Sequence, residues 1–191
     1  MAGLDTESMR IVESLLADIG ALSLSSITEE DGIETRELFM YEDLHPQVVR
    51  EISNRIDVPP TFCQSEPEGH QRRRGHRQYP SHVMGTFKCT TPDCTTSGWS
   101  SKKVAILIRS YPGNQYNAEV YNQRCEKCNE LGTFTLNVRS YVERVSYRLL
   151  RWNGVELERP VFNRRQGLPH RRDLCEGCRR NICPLGDGLE Q

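Results

Sequence analysis

Seven of the chain's eight cysteines and one of its five histidines fall at spacings that suit a metal ion. They run Cys89-x4-Cys94, Cys125-x2-Cys128 and His170-x4-Cys175-x2-Cys178-x4-Cys183. A C-x2-C pair turns two thiolates toward one point from a single tight turn, and zinc takes four sulfur or imidazole ligands in a tetrahedron. Eight ligands predict two Zn2+ ions. In an exported protein the same cysteines would read as a disulfide framework. The opening MAGLDTESMR is acidic and polar, and no basic stretch precedes an apolar one, so no secretory signal is read there. Thiols that stay reduced make the C-x2-C pairs metal sites. Cys63 has no partner at metal spacing and reads as an ordinary thiol.

Which ligands share an ion follows from the strands between them. VAILIRSY over 104–111 reads as a buried strand, Pro112-Gly113-Asn114 as a turn, and Tyr116 to Arg124 as the returning strand. Folding back near 113–114 brings 125–128 beside 99–102, close to Cys94. The simplest arrangement puts Cys89, Cys94, Cys125 and Cys128 on one ion. His170, Cys175, Cys178 and Cys183 lie in a 14-residue window and can close on the other. The alternative is a cross-over, in which each early pair shares an ion with part of the C-terminal cluster and ties the tail to the sheet. In both cases protein fills every coordination position, whereas a catalytic zinc keeps one open. No H-E-x-x-H occurs, and His70-Gln71-Arg72, His76-Arg77-Gln78 and His82-Val83-Met84 all lack the His-x-Glu of zinc deaminases. The expectation is structural zinc, no catalytic residue, no small-molecule substrate and no enzyme.

The elements that position these ligands are mixed. Residues 5–19 read as a short amphipathic helix through Met9, Val12, Leu16 and Ile19, followed by an acidic, aperiodic linker over 23–37. Residues 46–56 read as a second helix with Pro46 in its first turn, stopped by Pro59-Pro60. The polar stretch 64–82 reads as an exposed loop. Phe134–Val138 is a third strand, and 140–152 a helix whose stripe of Tyr141, Val145, Leu149 and Trp152 is widened by Val142 and Leu150. Asn153-Gly154 ends it. The fold class is α+β: a small zinc-stabilised antiparallel sheet, zinc-ribbon-like, with a packed helix, preceded by a partly disordered helical N-terminal segment. The chain divides into an acidic segment over 1–45, a helix and basic linker over 46–82, a zinc-binding domain over 83–186 and a tail over 187–191.

Charge is uneven along the 191 residues. Residues 1–68 carry 15 acidic and 4 basic side chains, a net of −11, and residues 69–191 carry 11 acidic and 21 basic, a net of +10. The basic part can hold an anionic partner. RNA is one expectation, through Arg72, Arg73, Arg74, Arg77, Arg164, Arg165, Arg171 and Arg172, with Tyr111, Tyr116 and Tyr121 as stacking faces. A protein partner is the other. The 36% hydrophobic fraction and mean hydropathy of −0.64 are low, so part of the chain is expected outside any core. No stretch approaches the roughly 20 apolar residues of a membrane span. A cytoplasmic setting is expected, with the nucleus as a second compartment.

From about Met84 to Pro184 the chain resembles the 3CxxC-type zinc fingers, which include receptor-transporting proteins, zygote arrest-like proteins and many fungal proteins. The resemblance is carried by Gly85, Phe87 and Cys89, by Trp99-Ser100, by Val120 through Cys128, and by Pro169-His170 with Leu174-Cys175-Glu176-Gly177-Cys178 and Cys183. Tyr141-Val142-Glu143-Arg144-Val145 looks closest to the fungal members. The resemblance implies zinc at the same eight positions. Zygote arrest-like members bind RNA and receptor-transporting members help receptors reach the surface, but a shared fold transfers neither activity. The first pair departs from the family's usual C-x2-C: Thr90, Thr91, Pro92 and Asp93 stand between Cys89 and Cys94.

Overall fold

The computed structural model describes residues 35–64, 77–158 and 169–184. The helix expected over 5–19, and Arg72, Arg73, Arg74, Arg164 and Arg165, lie outside them. The described strands are β1 (Leu38–Met40), β2 (Thr61–Phe62), β3 (Arg77–Lys88), β4 (Gly98–Tyr111), β5 (Gln115–Tyr121) and β6 (Thr133–Leu136). The helices are α1 (His45–Ile52), α2 (Val138–Trp152) and the single-turn α3 (Glu176–Arg179). The strands form one sheet in the order β1-β5-β4-β3-β6, antiparallel throughout, with β2 adding a two-residue parallel pairing to β5. The fold is α+β, as the sequence predicts.

The β4–β5 hairpin forms where the branched run and the Pro-Gly-Asn turn require it. Gly113 and Asn114 both take positive φ, 79° and 57°, which Gly and Asn tolerate best. Alternation along the strands then splits the sheet into two covered faces. Val83, Phe87, Val104, Ile106, Ile108, Ala118 and Val120 pack against α1 and α2, where Val48, Ile52, Tyr141, Val145 and Leu149 are buried. Ala105, Leu107 and Tyr121 point to the rear and are covered by the C-terminal segment around Cys175. The front core has 16 buried residues against four at the rear. At about 1.5–3 kcal/mol per buried large apolar side chain, apolar burial carries the front and falls well short at the rear. Zinc must make up that difference.

Two expectations are corrected. The loop read over 64–82 gives way at Arg77, where β3 begins and pairs with β4 from Arg77↔Ser110 onward. Pro80 disguised it. Its missing N–H is tolerated because β6 pairs only with Gly85–Lys88, which leaves Pro80 on an open edge. The strand is also anchored by Arg148, whose guanidinium carbon lies 3.0 Å from the Tyr79 ring centroid, and by Arg77, which donates to the Trp152 carbonyl (2.9 Å). The second correction concerns Leu38–Met40. These residues fall within the acidic segment by sequence, but they form β1 and pair with Glu119–Tyr121.

A β-bulge between Val83 and Gly85 turns the end of β3 toward the first ligands. The Met84 amide donates to the Ser140 hydroxyl and its carbonyl accepts from Asn137, both at 2.9 Å. The bulge thereby fixes the start of α2, where the Asn137 side chain also caps the Ser140 N–H (2.9 Å).

Candidate metal centres

Cys89 follows directly on β3, Cys94 lies in the β3–β4 loop, and Cys125 and Cys128 form a turn after β5. The Cys89–Cys128 and Cys94–Cys125 sulfurs stand 3.6 and 3.7 Å apart. At the other centre, Cys175 and Cys183 sulfurs are 3.7 Å apart. His170 Nε2 lies 3.3 Å from the Cys178 sulfur and 3.6 Å from that of Cys183. Within each group of four, all ligand atoms lie within 4.8 Å of one another. Tetrahedral zinc with bonds of about 2.3 Å to sulfur and 2.0 Å to nitrogen requires edges of roughly 3.5–3.8 Å. A disulfide would bring its sulfurs to about 2.05 Å, and all these cysteines are free. The geometry fits two zinc ions, with the local pairing rather than the cross-over.

The widened first loop closes on its ion by turning sharply before the ligand. Asp93 takes φ of 64°, and the Cys94 amide donates to the Thr91 carbonyl (3.3 Å). Cys94 therefore reaches the site despite four intervening residues. The Thr91 hydroxyl sits 3.4 Å from the Cys128 sulfur.

Backbone N–H groups aim at the sulfurs, as metal-binding thiolates need. Burial opposes charge on Cys125, but the N–H groups of Cys128 and Lys127 and the Thr96 hydroxyl outweigh it and pull the thiol down to about 6. At Cys175, a hydrogen bond from the Cys183 thiol leads, with help from His170 and the Cys178 N–H, and the thiol falls to about 4. Cys183, the donor of that bond and itself half-buried, is pushed up. Sulfurs crowded in this way compete for protons, and a dication can replace those protons.

The tail docks on the sheet even though its ligands close locally. Gln123 and Cys175 form an antiparallel bridge. The Arg124 amide donates to the Leu174 carbonyl (2.7 Å), and the Glu176 amide donates to the Asn122 carbonyl (3.1 Å). Arg124 Nε then pairs with Glu176 Oε1 at 2.5 Å. Asn122 is fully buried and donates to the Arg36 and Gly132 carbonyls at 2.7 and 2.9 Å. Gln123 bonds Trp99, Ser101 and the Lys103 carbonyl. This is why β5 stops at Tyr121: from Asn122 onward the chain leaves β4 and turns to the tail. Asn122, Gln123, Arg124 and Glu176 fall within the stretches that carry the family resemblance, but nothing in the sequence pairs them with one another.

The predicted nucleic-acid residues fare differently. Tyr111, Tyr116 and Tyr121 are 4%, 1% and 2% exposed, so none offers a stacking face. Arg171 is spanned by Glu126 (2.7 Å) and Asp173 (3.2 Å). It holds both carboxyls below their ordinary range. Arg180 pairs with Glu37, and Arg179 with Glu176. Arg77 donates to the Trp152 carbonyl and is otherwise exposed. Arg172 is exposed.

Sheet, knuckles and closed tetrads together define a zinc-ribbon-like structural zinc domain. The model of the 3CxxC zinc-ribbon family, described as a zinc-binding domain, matches residues 82–181, more than half of the 191 residues; the chain belongs to that family. The match stops just short of Cys183. No curated protein and no solved structure matches the chain. Among the described residues, no helix is long and apolar enough to cross a membrane.

Proposed function

We propose that this chain is a non-catalytic binding module in which both zinc ions serve as scaffold, and that its partner is a protein. The supporting observation is the closure of both tetrads by four protein ligands each, which leaves no coordination position for water or substrate. For the choice of partner, the three tyrosines that could have stacked on unpaired RNA bases are buried instead. Arg171, Arg179 and Arg180 already have carboxylate partners. An adaptor or trafficking role, akin to the receptor-transporting branch, is consistent with this reading. So is a cytoplasmic or nuclear setting, where thiols stay reduced.

RNA is the competing reading, supported by the net of +10 over residues 69–191, including Arg72, Arg73, Arg74, Arg164 and Arg165. Capture with the full zinc-loaded chain separates the two. A defined protein partner retained after nuclease treatment is the expected result. RNA retained at low salt and shed steeply as salt rises, with no nuclease-resistant partner, would overturn the protein reading.

A further inference from the structure

We propose that Arg124 and Glu176 join the two zinc sites into one cooperative unit, so that neither ion is held at full strength without the other. Arg124 immediately precedes Cys125 of the first site, and Glu176 immediately follows Cys175 of the second. Neither residue ligates metal. Their side chains meet at 2.5 Å, with Glu176 4% and Arg124 17% exposed at the side chain. Two backbone hydrogen bonds flank the pair, Arg124 N to Leu174 O and Glu176 N to Asn122 O. A ligand turn of one site is thus one half of a short two-stranded ladder, and a ligand turn of the other site is the other half.

The network reaches further. Glu37 pairs with Arg180 and stands 3.9 Å from Arg124, so the bend just before β1 clamps both turns from outside. Separating the turns would break a largely buried ion pair together with both flanking backbone bonds, and would leave Glu176 only its more exposed neighbour Arg179 (3.7 Å). Loss of the second zinc frees the tail, and the tail carries away the groups that orient Arg124 and, through it, the Cys125 turn. This coupling holds whatever the module's partner is, since it rests only on the metal sites and the residues between them.

Native mass spectrometry of the zinc-loaded full chain during chelator titration tests it. The expected result is a mixture of two-zinc and zinc-free chains with scarcely any one-zinc chain. Accumulation of the one-zinc chain to the level of two independent sites would overturn the proposal. In the double variant Arg124→Met/Glu176→Met, which removes the pair without stranding a charge, the one-zinc chain should become prominent. If the double variant still loses both ions together, the pair is not the link. Glu176→Gln serves where the double variant does not fold. It should weaken cobalt at the four-sulfur site, which it does not touch, by about 5- to 150-fold, the usual span of coupling between sites. Unchanged cobalt affinity there would overturn the proposal. Val145→Ala, a front-core change, is the control. It should lower stability and leave the one-zinc chain scarce. If it raised that species as much as the pair variants do, the effect would be general loosening and the proposal would fall.

Discussion

Gly177 lies so close to the Ala105 methyl group that no β-carbon fits between them, and a β-carbon there would also touch the Cys183 sulfur. The second zinc knuckle is thereby pressed flat onto the rear of the sheet. Gly177→Ala should push the knuckle off β4, at about 1–3 kcal/mol, the usual cost of overpacking. Urea unfolding of the zinc-loaded protein measures this. An unchanged midpoint would show that the docking contributes no stability.

Removing both ions should not dissolve the whole fold evenly. The front core keeps its apolar burial without metal, while residues 169–184 rest on three buried sheet residues, Ala105, Leu107 and Tyr121, and a zinc. On chelation, hydrogen exchange is expected to become rapid in 169–184 and 122–132. Val104–Ile108 and α2 should keep most of their protection. Uniform loss of protection would mean that zinc holds the front as well.

Acid should weaken the fold through His82 as well as through the ligands. His82 sits beside His170, with ring centroids 5.8 Å apart. Burial above all lowers its pKa to about 4; the nearby Lys103 and Arg144 charges act in the same direction, partly offset by Cys175. The unfolded chain binds the proton more readily. Stability from the neutral imidazole is therefore full above the ordinary pKa of 6.5 and is lost as pH falls toward 4. His82→Gln should flatten the stability profile across that window, with zinc content followed by mass spectrometry at each pH. An identical slope in the variant would refute this.

Asn137→Ala removes the cap of α2. A fall of about 1 kcal/mol is expected, with two zinc ions still bound. Loss of zinc in this variant would show that the bulge at Met84 transmits strain to Cys89.

How much of this was legible in the chain depends on how far each interaction reaches. Metal ligands must be particular residue types at short spacing, so all eight could be read directly, and the branched run before Pro112-Gly113-Asn114 announced its hairpin. Arg124 and Glu176 lie 52 residues apart, and no local pattern relates them. Leu38–Met40 is three residues long and shows no period. Arg77–Ser81 carries a proline and polar alternation that propensity reads as loop, and only its long partner β4 makes it a strand. The tyrosines misled because residue type alone does not say which face a strand buries.

The rear of the sheet has one more consequence, for the growing chain. The ligands of the first site are complete at Cys128, but Ala105, Leu107 and Tyr121 wait for a cover that ends at Cys183, 55 residues later. At about 5–20 residues per second, a nascent chain shows an apolar strip for roughly 3–11 seconds before it can be sealed.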